Sequence, residues 1–465
     1  MAVGTGRDGL ERDLAALVGE AAVLAGDAPG YSADESGAAG PRGAADAVVL
    51  PGSAAEVERV VEWCYRHGVA IVPRGGGSGY AGGAVPVEGG VVLALERLDR
   101  VPEFDPGLWR MRVEAGVRTA TVRRLARENG LLFPPDPGAA EQSQIGGNIA
   151  TNAGGPHAFK YGVTGAWVTG LEAVVAPGKL IEVGGPIRKD VAGYDLGSLL
   201  IGSEGTLGVI TAAWLRLIPA PEAALPVLGF YSDSGAGCAA IQRVLEHGLV
   251  AAAIEYLDAG ALAAATGSLP GGAPGGAGFA VLCEADGRAA EARALGPELV
   301  EALAEGALEV RSLEAPGEVE ALWRWRDGVS LAVSARRGGK LSEDVVVPLD
   351  RLAEAIAETV EIGRRHQLEA CSWGHAGDGN LHSTLVIDAA SADERERAAG
   401  AAEELFEMAA RLGGSVSGEH GLGWLKRGQL ERQWSPAALR LHEQVKAVFD
   451  PANLFNPGKK VARLP

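Results

Sequence analysis

Redox-active sulfur is scarce in this chain. Its 465 residues include four cysteines, at positions 64, 238, 283 and 371. They lie far apart and form no Cys-x-x-Cys pair, so the chain alone cannot hold an iron–sulfur cluster. The pattern fits reduced thiols in a cytosol, each reading as a small core residue. Positive charge is also in deficit: 42 Lys and Arg face 60 Asp and Glu, a net charge of −18. That balance argues against nucleic acid or an anionic membrane surface as a partner. Long apolar runs are missing too. The longest uncharged stretch, 259–283, carries seven Gly and two Pro and would make a poor membrane helix. The N-terminus has Arg7, Asp8, Glu11, Arg12 and Asp13 in place of the apolar core of a signal peptide. These features together place the chain in the cytoplasm, or at the membrane periphery through a partner, with no transmembrane segment and no nucleic-acid role.

Glycine is abundant. The 68 Gly residues are about twice the usual share of ~7%. Many fall in three segments: PRGGGSGYAGG at 73–83, IGGNIATNAGG at 145–155 and GSEGTLGVI at 202–210. Glycine loses the most chain entropy on ordering, but it lets backbone N–H groups turn together toward one anion as a nest. Ser78 adds a hydroxyl, and a pyrophosphate suits such a loop. The first segment lacks the Gly-Lys-Ser/Thr ending of a P-loop, and it is not the GxGxxG turn of a Rossmann unit.

The chain in order reads as two or three domains. A short amphipathic helix carries Leu10, Leu14, Leu17 and Val18. A strand at 47–50 leads to Ser53 and Glu56, a capping box for a helix with Val57, Val60, Val61 and Cys64 on its apolar face. A strand at 69–72 then delivers the glycine loop. Strands follow at 91–95 and 110–114, then a helix at 119–129. Residues 133–161 read as one long irregular stretch, of a length that compact domains keep for a function. A hairpin pairs 171–175 with 179–183 across Pro177-Gly178. From 227 to 313 the pattern β-α-β-β-α-β suggests a ferredoxin-like unit, with 266–278 as a mobile surface loop.

The three glycine segments, in this order and spacing, resemble the flavin-contacting segments of the FAD-linked oxidase family, which has the vanillyl-alcohol oxidase and para-cresol methylhydroxylase fold. Farther on, GHAGDGNLH, SGEHG and NPGK resemble the D-2-hydroxy-acid dehydrogenase branch of that family. The resemblance implies an α+β protein. Its FAD-binding domain would span 1–221, with a ferredoxin-like substrate or cap domain at 222–420 and a C-terminal segment, 421–465, packing back on the first domain. It implies non-covalent FAD, since the first loop lacks the His that some relatives use for attachment. The flavin contacts it implies are Pro73, Arg74, Gly75, Gly76, Gly77, Ser78 and Gly79, then Pro135, Ser143, Gly146, Gly147, Asn148, Thr151 and Asn152, then Glu204, Gly205, Ile210 and Asn456.

The segment 375–382 carries its own inference. Asp378-Gly379 is a two-residue hairpin signal. If those residues form the turn, His375 faces His382, with Cβ atoms ~4.5–5.5 Å apart, and strand alternation puts Asn380 on the same face. Two imidazoles so placed can share a divalent ion, Zn or Mn. The resemblance supplies Glu419 as third ligand and Arg326 as the partner of a substrate carboxylate; His420 is the candidate base, since an imidazole pKa of ~6.5 suits proton removal near neutrality, and Asn380 and Lys340 are further candidate substrate contacts. Glu419 and His420 are adjacent, so the glycines at 418 and 421 must bend the chain to bring both to one site. The implied reaction oxidises a small D-2-hydroxy acid to the 2-oxo acid, with divalent-metal assistance and hydride transfer to flavin N5. In the D-2-hydroxyglutarate branch a Lys stands six residues before the Pro that closes the corresponding strand. Here Ser342 holds that place before Pro348, which favours lactate- or glycolate-like acids over substrates with a second carboxylate. No second redox centre is visible, so reoxidation calls for a quinone, a cytochrome, an electron-transfer flavoprotein or a partner subunit. Two other readings use the same residues: a metal-dependent hydrolase built on His375, His382 and Glu419, and a non-catalytic flavin-binding subunit of a larger complex.

Overall fold

The computed structural model describes residues 7–37 and 40–460. Its first half is built on two small sheets. In one, Val23–Ala25, Ala47–Val49, Val91–Ala94 and Ile71–Arg74 lie in that order; the last three are parallel and the first pair is antiparallel. The helix Ala54–His67 connects two of these strands. Ser53 Oγ accepts the Glu56 N–H at 3.3 Å, and the Glu56 carboxylate reaches back to Gly52 N at 2.7 Å, one residue beyond the expected box. Gly68, at φ 65°, closes the helix. Val57, Val60, Val61, Trp63 and Cys64 are its buried face.

The second sheet is antiparallel, in the order Glu103–Asp105, Arg110–Glu114, Val209–Arg216, Val168–Val175, Lys179–Gly184. Its last two strands form the expected hairpin, with Leu171 opposite Val183. The stretch 133–161, expected to be irregular, contains a helix, Ile145–Thr151. Two glycines at its start hide it from propensity reasoning. The packing explains them: a Cβ on Gly146 would lie 2.6 Å from the Ala115 Cβ, and Gly147 sits against Gly75.

The second half is one seven-stranded antiparallel sheet. Its order is Glu309–Ser312, Ala223–Tyr231, Phe279–Gly287, Ile254–Asp258, Glu369–His375, Asn380–Ile387, Gly339–Val346. The first four strands have the ferredoxin-like order, and the helices Ser234–Glu246 and Ala289–Ala304 pack on them. The other three extend the sheet. The connection 266–278 opens with a 3-10 turn, and Arg311 ties it down through the Gly272 carbonyl at 2.6 Å. Near the C-terminus the chain meets the first sheet again: Ile71 N donates to Leu454 O, and Asn456 N donates to Ile71 O, both at 2.7 Å.

Candidate active site

A cavity of about 690 Å³ opens between the two halves. One wall is rich in glycine. It is formed by Pro73, Arg74 and the loop Gly75 to Gly79, by Ser143, Gly146, Gly147, Asn148 and Thr151, and by Glu204, Gly205 and Ile210. Some of these glycines are sterically required. A Cβ on Gly76 would lie 2.0 Å from the Gln142 carbonyl oxygen; Gly77 has φ +69° and would drive a Cβ into the Arg74 guanidinium. Gln144 Oε1 lines this wall and is buried without a hydrogen-bond partner. Glycine loops with an orphaned acceptor among them fit a dinucleotide. Three expected cofactor positions are elsewhere. Pro135 is off the cavity surface. Asn152 ends the helix in the left-handed conformation, its Oδ1 accepting from Gly165 N at 2.8 Å. Asn456 stands behind the wall, donating to the carbonyls of Gly83 and Glu204 at 2.8 Å each.

The opposite wall carries Lys340, Ser342, Trp373, His375 and His382 of the large sheet, with Arg326 from a helix and Glu419 and His420 from a loop. The predicted two-residue turn is replaced by a 3-10 turn, Ala376–Asp378, followed by Gly379 in the left-handed conformation. His382 therefore faces Trp373 rather than His375. The pairing has moved by two residues, which keeps every side chain on its original face. His375 and His382 still meet as diagonal neighbours, with ring centroids 5.4 Å apart. Each has a buried carboxylate opposite it on the next strand outward, Glu255 across from His375 and Asp344 across from His382. Neither carboxylate was singled out from sequence. The clue was present: a charge inside an apolar strand such as AAAIEYLD must be paired if the strand is buried.

Glu255 joins two expected roles. Its Oε1 accepts from His375 Nδ1 at 2.6 Å, and its Oε2 accepts from Arg326 Nε at 2.6 Å. His375 is thereby oriented with Nε2 toward Glu419 Oε1, 3.3 Å away; His382 Nε2 is 3.7 Å from the same oxygen. Asp344 holds the segment that carries Glu419. Its Oδ2 accepts the N–H groups of Gly418, Glu419 and His420 at 2.8, 2.9 and 2.9 Å, and the Ser417 hydroxyl at 3.0 Å. Three successive amides on one oxygen are the bend that brings both Glu419 and His420 to the cavity. Asn380, expected at the substrate, lies off the cavity and donates to Asp344 Oδ1 at 2.7 Å. The His420 ring stacks near-parallel to His382, centroids 5.3 Å apart, and lies 4.7 Å from the Tyr80 ring. Lys340 and Arg326 also line the cavity; Lys340 bonds Ser330 Oγ and sits 5.0 Å over the Trp373 ring.

Ligand atoms of His375, His382 and Glu419 lie within 4.8 Å of one another, as do those of Asp344, His382 and His420. The first set suits a divalent cation better, because both oxygens of Asp344 already accept hydrogen bonds. His382 Nδ1 is buried with no partner. Charge follows the same layout. Burial works against a charge on His375, but Glu255 and Glu419 push it up to about 10. Burial also opposes ionisation of Glu419, yet the neighbouring histidines hold it at about 2. Burial lowers His420 against the pull of Asp344 and Glu419, and it brings Lys340 down to about 8. His420 is thus a neutral imidazole near pH 7, able to accept a proton.

This pairing of an amide-lined bed with a sheet of buried acids and imidazoles defines a flavoenzyme with the vanillyl-alcohol oxidase type of fold. Residues 45–184 match the sequence pattern of an FAD binding domain, and residues 220–460 match the C-terminal domain of FAD linked oxidases. The chain is 37% identical over 420 residues to the glycolate oxidase subunit GlcD of Bacillus subtilis (strain 168), covering 90% of this chain and 89% of that one. It is 32% identical over 419 residues to a D-lactate dehydrogenase of Anaerostipes hadrus, covering 88% and 87%. It is 35% identical over 452 residues to a D-2-hydroxyglutarate dehydrogenase of Xanthomonas citri pv. viticola, covering 89% and 88%. Crystalline p-cresol methylhydroxylase with substrate bound shares the fold, with a TM-score of 0.80, 17% identity and coverage of 99% and 98%. The protein belongs to the FAD-linked oxidase family and is an FAD-linked oxidoreductase. Among the described residues, no helix is long and apolar enough to cross a membrane.

Proposed function

We propose that the protein oxidises a small 2-hydroxy acid of the lactate or glycolate class to the 2-oxo acid, its electrons passing on to an external acceptor. One observation carries this reading: His375, His382 and Glu419, whose ligand atoms are close enough to hold a cation, line the same cavity as the glycine segments, with the His420 imidazole beside them. Bound FAD supplies a two-electron acceptor, and a Zn or Mn ion held by His375, His382 and Glu419 supplies Lewis acidity toward the substrate hydroxyl. His420 takes the hydroxyl proton. Glu255 engages His375 Nδ1, so Nε2 is the nitrogen that would ligate the ion as its proton is displaced. Arg326 and Lys340 offer the cationic charge that a carboxylate needs in a chain of net charge −18. The names of the relatives support the substrate class.

Lys340 and Ser342, both on the cavity surface, give a specific reason to test acids with a second polar group as well. The test is anaerobic bleaching of the flavin by D-lactate, glycolate and D-2-hydroxyglutarate in turn. The reading expects one of them to bleach the wild type within seconds and to leave the His375→Ala variant slow. Equal bleaching rates in the two proteins would contradict the cation's role, and no bleaching by any of the three would contradict the substrate class.

A further inference from the structure

The segment carrying Glu419 and His420 is gripped from both sides. Asp344, on the large sheet, takes the N–H groups of 418, 419 and 420. Glu204, on the opposite side of the cavity, takes the next ones along. Its Oε1 accepts from Leu422 N at 3.0 Å and its Oε2 from Gly423 N at 2.6 Å. Between the two grips stands Gly421, at φ +81°, so close that a Cβ there would lie 2.9 Å from the Glu204 carboxyl carbon. Glu204 is itself held in place. Its backbone is left-handed, φ 55°, its N–H bonds Ala150 O at 2.7 Å, and Lys460 Nζ lies 3.0 Å from Oε1. It is 7% exposed. Its side chain is thus engaged by main-chain amides of the 418–423 segment.

The resemblance had given Glu204 to the flavin. We propose instead that Glu204 is a positioning residue for the Glu419–His420 pair: from the flavin side of the cavity it fixes the segment that Asp344 fixes from the cap side. The inference rests on the cation reading above. It makes the segment a strap between the two halves, so that the imidazole and the third ligand are set relative to both walls at once. Removing one grip frees one end of the strap, while the other residues of that wall stay in place.

The variants Glu204→Gln and Glu204→Asp separate this role from cofactor contact. Glutamine keeps the volume but turns a donor toward one of the two amides; aspartate keeps both acceptor oxygens on a shorter arm. Each full-length holoenzyme is assayed for flavin by absorbance and for Zn²⁺ by competition with a chelator. The proposal expects wild-type flavin content in both, Zn²⁺ affinity lowered about 10-fold or more in Glu204→Gln, the loss typical when a group supporting a ligand is removed, and a smaller loss in Glu204→Asp. Loss of flavin with Zn²⁺ affinity unchanged, or no change in either, overturns it. If Glu204→Gln yields no folded protein, Glu204→Asp decides by the same two readings. A wild-type protein that holds no divalent cation defeats the cation reading itself; a wild type that holds one, with variants indifferent to it, defeats only the role of Glu204.

Discussion

The two walls of the cavity are made of different material. The wall proposed for the flavin is rich in glycine, and at Gly76 and Gly77 a side chain has no room. The cap wall rests on carboxylates placed opposite imidazoles on neighbouring strands, Glu255 by His375 and Asp344 by His382. A wall of glycine loops is selected chiefly by shape. A wall of buried acids and bases is suited to proton chemistry and depends on every partner being present. Damage to the first should abolish the cofactor; damage to the second should leave a coloured but slow protein.

The largest expected effect is on the flavin wall. Gly76→Val puts a branched side chain where even a Cβ meets the Gln142 carbonyl at 2.0 Å. Overpacking of this kind costs about 1–3 kcal/mol, here at the cofactor bed itself. The variant should purify colourless, read by absorbance at the flavin bands; a yellow Gly76→Val would break the contrast. Next comes the cap wall. His420→Ala should keep full flavin content and lose about 10²–10⁴-fold in the rate of anaerobic flavin reduction, the range for removing a positioned base.

The smallest effect sharpens the cap side. Burial brings Lys340 down to about 8. A lowered amine is cationic below that value and loses its charge as pH rises through it. If Lys340 pairs with the substrate, KM should rise several-fold between pH 7 and pH 9.5 while kcat changes less, and Lys340→Met should start at the raised KM and show no such rise. A KM that stays flat in the wild type removes Lys340 from the substrate.

The difference between the walls also decides how much was legible in the sequence. Glycine segments announce themselves in order, because each is local, and so do the capped helix at 54–67 and the hairpin across Pro177-Gly178. The hairpin at 375–382 was legible in part. Asp378-Gly379 marks a turn, but the 3-10 turn before Gly379 lengthens it, and only the two-residue period of the strand rescues the prediction that both histidines share a face. The helix Ile145–Thr151 was hidden because its glycines answer to packing against Ala115 and Gly75, a contact that local propensity does not contain. Glu255 and Asp344 were missed for the same reason. Each is adjacent to its histidine only across a strand pair whose members lie 120 and 38 positions apart in sequence, as Glu255 and His375, or Asp344 and His382, do. Asn380 was placed on the correct strand, but only the third dimension shows that its amide is bound to Asp344.

The account stands on the two walls facing each other across one cavity. A crystal structure of the protein with FAD and Mn²⁺, using the anomalous signal of manganese, tests this directly. It should show a manganese peak ligated by His375, His382 and Glu419, with the isoalloxazine ring in the same cavity and His420 beside both. A peak at another cluster, or a ring bound on a different face of the molecule, would contradict it.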